Sequence, residues 1–167
     1  ALVKSRQPAA LKPALVAIAK MSKNQAKRDQ QRAFQNLVKS QLLQNQLEIA
    51  LQEGQNPDST IGLWATAAVL GIAQEKKSSP EAREQARLSI DAMWKQPSQQ
   101  MQLIKAATDT QNHFLDDRIL ELTNRPEPTL VAEVQRAVKE LRLEDKLNPN
   151  LPRIATIGVD AALKQFT

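Results

Sequence analysis

The chain has 167 residues, a net charge of +5 and only 3% aromatic residues, with neither Cys nor Tyr. That length allows one domain with a continuous core. The missing Cys excludes disulfides, thiolate zinc sites and covalent haem attachment within the segment, and no apolar run reaches the ~20 residues that span a bilayer.

With few aromatics, four Gly and abundant Ala, Leu, Gln and Lys, the core is built from small aliphatic side chains in good helix formers. The chain therefore reads as all-α. Its charge is unevenly placed. Residues 1–40 carry +8 and the remainder −3, so the basic character belongs to the N-terminal quarter.

In chain order, residues 1–8 are expected to be extended or frayed. Leu11 to Met21 reads as a short helix with Pro13 in its first turn, where a missing N–H costs nothing. Ser22, with Gln25 three residues on, opens a capping box. From there Phe34, Leu37, Val38, Leu42 and Ala50 keep helical spacing to about Glu53, and Gly54 is a natural stop. One long helix is expected, its first turns (Asn24 to Arg32) polar and free for solvent or a partner.

Pro57-Asp58-Ser59 marks a turn whose Asp58 or Ser59 caps the next element. Ile61 to Gln74 is apolar nearly all round and reads as the most buried helix, with Gly62 and Gly71 allowing close approach of a neighbour. Ser79-Pro80 starts a helix to Lys95 that places Ala82, Ala86, Ser89, Ile90 and Met93 on one face. Pro97-Ser98 starts a short helix carrying Met101, Leu103, Ile104 and Ala107, broken over Asp109 to Asn112. Asn112 caps His113 to Asn124, with Leu115, Ile119 and Leu122 inward. Pro128 to Leu143 follows, then a connector with Pro149 and Pro152, then a last helix from Ile154 to Phe166. About eight helices joined by short polar turns favour antiparallel neighbours.

The helix at Pro80 has an echo at Pro128, 48 residues later. Ala82 falls on Leu130, Ala86 on Val134, Ser89 on Ala137, Ile90 on Val138 and Met93 on Leu141. A shorter echo sets Pro57-Asp58-Ser59 against Pro97-Ser98, 40 residues apart. Such offsets match two- and three-helix solenoid repeats. SPEAREQARLSIDAM and EPTLVAEVQRAVKEL resemble the second helix of HEAT-type repeats over roughly residues 57–145, with Arg83 at the place of a basic residue often found there and Val131 departing from it. The resemblance implies a HEAT-like α-solenoid or right-handed helical array, a single domain over residues 1–167. Residues 1–55 form basic N-terminal helices and residues 57–167 repeat-like ones. Such segments occur in large multidomain bacterial proteins, and this one is expected to be a piece of a longer chain.

Three constellations carry candidate chemistry. His113, Asp116 and Asp117 stand at i, i+3 and i+4, a spacing that puts a metal-ligand set on one helix face. The expected alternative is that His113 caps a helix and the carboxylates are solvated, so no metal and no cofactor is assigned. Trp94 is expected to be exposed, Trp64 to be core. Trp94, Asp91 and Arg87 on one helix are the residue types that some helical-repeat glycosylases use, yet Arg87 and Asp91 at i, i+4 equally make a surface salt bridge, which is the arrangement expected. The basic block Lys20, Lys23, Lys27, Arg28 and Arg32 has the charge to meet phosphates or an acidic partner.

No phosphate loop, nucleophile triad or metal motif occurs. The expected function is a non-enzymatic helical-repeat scaffold whose partner is another protein or another domain of its own chain, contacted through Lys20, Lys23, Lys27, Arg28, Arg32 and Trp94. The alternative is nucleic-acid binding through residues 1–40, including a repeat-fold repair enzyme. A soluble protein of the cytoplasm or periplasm fits either; the compartment stays open.

Overall fold

The computed structural model describes residues 10–21, 27–39, 46–56, 60–124 and 127–147. Among the described residues there are eight α-helices and no strand, so the chain is all-α. The helices are α1 (Leu11–Met21), α2 (Lys27–Val38), α3 (Leu47–Gly54), α4 (Thr60–Gln74), α5 (Pro80–Trp94), α6 (Pro97–Thr110), α7 (Asp116–Asn124) and α8 (Val131–Glu140), followed by a 3₁₀ turn at Glu144–Lys146. No helix among the described residues is long and apolar enough to cross a membrane.

Local chemistry explains most of these elements. In α1, Pro13 sits in the first turn, and Leu11, Ala14, Leu15 and Ile18 recur at i, i+3, i+4 and i+7 and are all buried. In α5, the Ser79 hydroxyl accepts a hydrogen bond from the Ala82 N–H at 3.2 Å and Pro80 occupies the first turn. Two helices stop by turning left-handed. Gln111 (φ 54°) follows α6 and Arg142 (φ 56°) follows α8, and in each case a later amide closes back, Asn112 N–H on Ala107 O and Leu143 N–H on Val138 O. Gln111 offsets its unfavourable conformation by donating Nε2–H to Thr108 O at 3.2 Å.

The core is organised on α4. Eleven of its fifteen residues are buried, from Gly62 to Ala73, and it packs against α1, α2, α3, α5 and α6. A helix apolar all round must be enclosed all round. Its two glycines permit this. A Cβ at Gly62 would collide with the Asn56 carbonyl, and one at Gly71 would lie 2.9 Å from Val38 Cγ2 of α2. Trp64 stacks obliquely on Phe34 of α2, ring centroids 5.2 Å apart. The buried Gln102 of α6 fastens three elements, its Nε2 donating to Gly54 O (2.8 Å), Gly62 O (3.1 Å) and the Thr66 hydroxyl. α6 in turn packs on α5, α8 and α2, and α7 packs on α8.

Four expectations are corrected. The long helix to Glu53 is two helices, α2 and α3. Lys39 is in a turn, and Gln46 is non-helical (φ −131°, ψ 26°), its buried side chain accepting the Leu11 N–H at 3.2 Å. One straight rod of that length would run roughly 40 Å and carry one end off the core. As two helices they bury Leu37, Val38, Leu47 and Ala50. α6 runs on through Asp109 and Thr110, since the break is at the left-handed Gln111. α7 starts at Asp116 rather than His113, because the Asn112 Oδ1 accepts the Phe114 N–H at 2.9 Å and holds a turn there. α8 starts at Val131 rather than Pro128, because Glu127 supplies no hydroxyl cap comparable to Ser79 and its carbonyl instead takes the Leu130 N–H.

Of the five paired inward positions two are buried in both helices, while Ala82, Ser89 and Met93 are half-buried where Leu130, Ala137 and Leu141 are buried. Ala86 and Ile90 are 0% exposed, and Val134 and Val138 are 3% exposed. Ser22, Lys23, the Pro57 turn and the Ile154–Phe166 helix lie outside the described residues.

Candidate interaction surface

The acid–base residues are engaged with one another. Asp116 is buried, and its carboxylate takes the Lys146 ammonium at 2.9 Å and the His113 Nδ1 at 3.0 Å. Lys146 reaches it from the 3₁₀ turn. The hydrogen bond and charge of Asp116 raise the Lys146 pKa above its ordinary value. Asp117 is exposed, and its charge adds a smaller rise to the Lys146 pKa. The geometry thus unites His113 with Asp116 but gives the third position to a lysine, and no group of three metal-ligating side chains occurs among the described residues.

Trp94 is half-buried and is the more exposed of the two tryptophans, Trp64 being 4% exposed. The Arg118 guanidinium of α7 lies over Trp94, 5.6 Å from the ring centroid, and also pairs with Asp91. Asp91 therefore meets Arg118, not Arg87. Arg87 instead lies 6.0 Å over the Phe114 ring. Leu88 on the same helix is 60% exposed, the one large apolar side chain so exposed among the described residues. These contacts knit α5 to the segment that begins α7.

The N-terminal cations divide into two sets. Lys27 is drawn to Glu140 of α8 at 3.5 Å, at the edge of a network centred on Arg136. Arg136 donates Nε–H to Glu133 (2.8 Å) and Nη1–H to Asp109 of α6 (2.9 Å). Desolvation opposes its charge, but the hydrogen bonds to Glu133 and Asp109 outweigh it and the pKa is raised. Lys20, Arg28 and Arg32, by contrast, are exposed on α1 and α2 with no ion-pair partner among the described residues. The inner edge of α2 is pinned by amides. Gln31 Nε2 donates to Asp109 O (2.9 Å) and Gln35 Nε2 to Thr110 O (3.4 Å), satisfying terminal carbonyls of α6. Arg28 and Arg32 thus stand beside a pair of amides that fixes the helix in place.

Beside that row lies a pocket of about 370 Å3, lined among others by Val38 and Gln35 of α2, Gly71 and Gln74 of α4, and Gln111 and Asn112 after α6. Sequence reasoning missed it, along with Arg118, Arg136 and Lys146, because each depends on residues far apart in the chain. The nearest signal was the pair of glycines in α4, which announced close helix approach but not its location. The chain matches no family model, and comparison with curated proteins and with solved structures returns no match.

Proposed function

We propose that this chain is a non-enzymatic helical module that binds an acidic partner protein, or an acidic domain of its own chain, through the exposed face of α2. The observation that carries this reading is the pair Arg28 and Arg32, one turn apart on α2, exposed and without an ion pair among the described residues. Unpaired surface cations on a rigidly held helix steer an oppositely charged surface and suppress like-charged ones. The HEAT-type likeness supports it further, since buried Ala86, Ile90, Val134 and Val138 hold equivalent places 48 residues apart. Stacked helical repeats expose broad faces for partners.

Nucleic-acid binding is the second reading, favoured by the same unmatched arginines and the +8 charge of residues 1–40. It has less support because the aromatic nearest the row, Phe34, is 2% exposed and offers no stacking face. Titration of the chain with labelled polyglutamate and with duplex DNA tests both. Polyglutamate binding that weakens with salt and in the double variant Arg28→Glu/Arg32→Glu is expected. Absence of any polyglutamate binding at low salt contradicts the proposal, and tight DNA binding transfers it to the second reading.

A further inference from the structure

The pocket next to the α2 row gives the partner a more definite shape. It rests on the reading of α2 as a binding face. Its floor is apolar, formed by Val38 and by Gly71, which presents no side chain. Its walls are amides. Gln35 and Gln111 have their Nε2 groups committed to Thr110 O and Thr108 O, which leaves each Oε1 to accept a hydrogen bond from outside. A floor that takes hydrocarbon beneath acceptors that take N–H groups suits one apolar side chain and the peptide backbone that bears it. At about 370 Å3 the space holds a single large side chain and adjoining main chain rather than a helix.

The charges around it are arranged for carboxylates. Arg32 and Lys39 stand three residues before and four after Gln35, so they share its helix face, with Arg28 one turn further along. Lys76, exposed at the end of α4, stands on the opposite wall. None of these four cations has an ion pair among the described residues. The pocket wall also carries one acid, Glu75, whose Oε1 accepts the Lys77 N–H at 3.1 Å, against the four cations. We propose that this pocket and its cations form the docking site for an acidic peptide segment of a partner, which seats one aliphatic side chain over Val38 and Gly71 and spreads flanking carboxylates onto Arg28, Arg32, Lys39 and Lys76.

The probes are a short glutamate peptide with one central leucine, the same peptide with glycine in that place, and duplex DNA, titrated into the full chain. The leucine peptide is expected to bind about tenfold more tightly than the glycine peptide, the order expected for seating one aliphatic side chain. The variant Gln74→Trp, made at an exposed position on the pocket wall, removes that difference while both peptides still bind. Lys76→Glu weakens both and is a second variant should Gln74→Trp fail to fold. Equal binding of the two peptides, or a tenfold difference that survives Gln74→Trp, overturns the pocket while leaving the α2 reading intact. Binding of neither peptide overturns both, and binding of DNA alone assigns the row to nucleic acid instead.

Discussion

α4 and α2 are neighbouring helices of opposite design. α4 is enclosed along most of its length, with Trp64 and the residues from Ala65 to Ala73 buried, and only its C-terminal end, Gly71 and the exposed Gln74, borders the pocket. α2 buries only Gln30, Phe34, Leu37 and Val38, and keeps Arg28, Arg32 and Gln35 outside. Both rely on their contact through Val38 and Gly71, but the first supplies stability and the second a surface. Substitutions should therefore separate, the buried positions of α4 costing folding free energy and the outer positions of α2 costing only binding.

The largest effect is expected in α4. Leu70 is 0% exposed, so Leu70→Ala should lower the unfolding free energy by about 3 kcal/mol in a denaturant titration, the range for a buried leucine cavity. A loss under about 1 kcal/mol would mean that α4 is not enclosed. Next is Gln102→Ala. It strips the donor from Gly54 O, Gly62 O and the Thr66 hydroxyl, and a cost of about 2 kcal/mol follows from leaving buried acceptors unmet. Ser79→Ala removes the α5 cap and should cost about 1 kcal/mol.

A smaller effect is tied to pH. The Lys146 pKa is raised above its ordinary 10.5 by Asp116, so its contribution is full below that value and is lost as pH rises through the higher folded value. Wild type should exceed Lys146→Met in denaturant midpoint near neutrality, and the advantage should shrink in strongly alkaline solution. An advantage that grows with pH would contradict the pairing. The smallest stability effect is expected for Arg28→Ala/Arg32→Ala, within about 0.5 kcal/mol, although polyglutamate binding should fall sharply.

What could be seen in the sequence was whatever is decided within a few residues. The Ser79-Pro80 start, the stripe Leu11, Leu15 and Ile18, and the all-round apolarity of α4 are local facts, and each appears in the structure. The break between α2 and α3 was hidden because no Gly or Pro marks Lys39 or Gln46, and the partner of the Gln46 side chain, the Leu11 N–H, lies 35 residues away. The same holds for Asp91, whose i, i+4 neighbour Arg87 was the local choice but whose partner is Arg118, 27 residues on. Of the candidate surface, the cations Arg28 and Arg32 were legible as a basic run. Their lack of acid partners was not, because Asp109, Glu133 and Glu140 had first to be placed beside Arg136 instead.

The most direct test of this account is arginine footprinting with phenylglyoxal, read residue by residue, with and without the leucine-bearing glutamate peptide. Arg28 and Arg32 should react quickly in the free chain and become protected on adding the peptide, while Arg136, held by Glu133 and Asp109, stays slow in both. Arg28 and Arg32 reacting as slowly as Arg136 in the free chain, or staying reactive with the peptide bound, would contradict it.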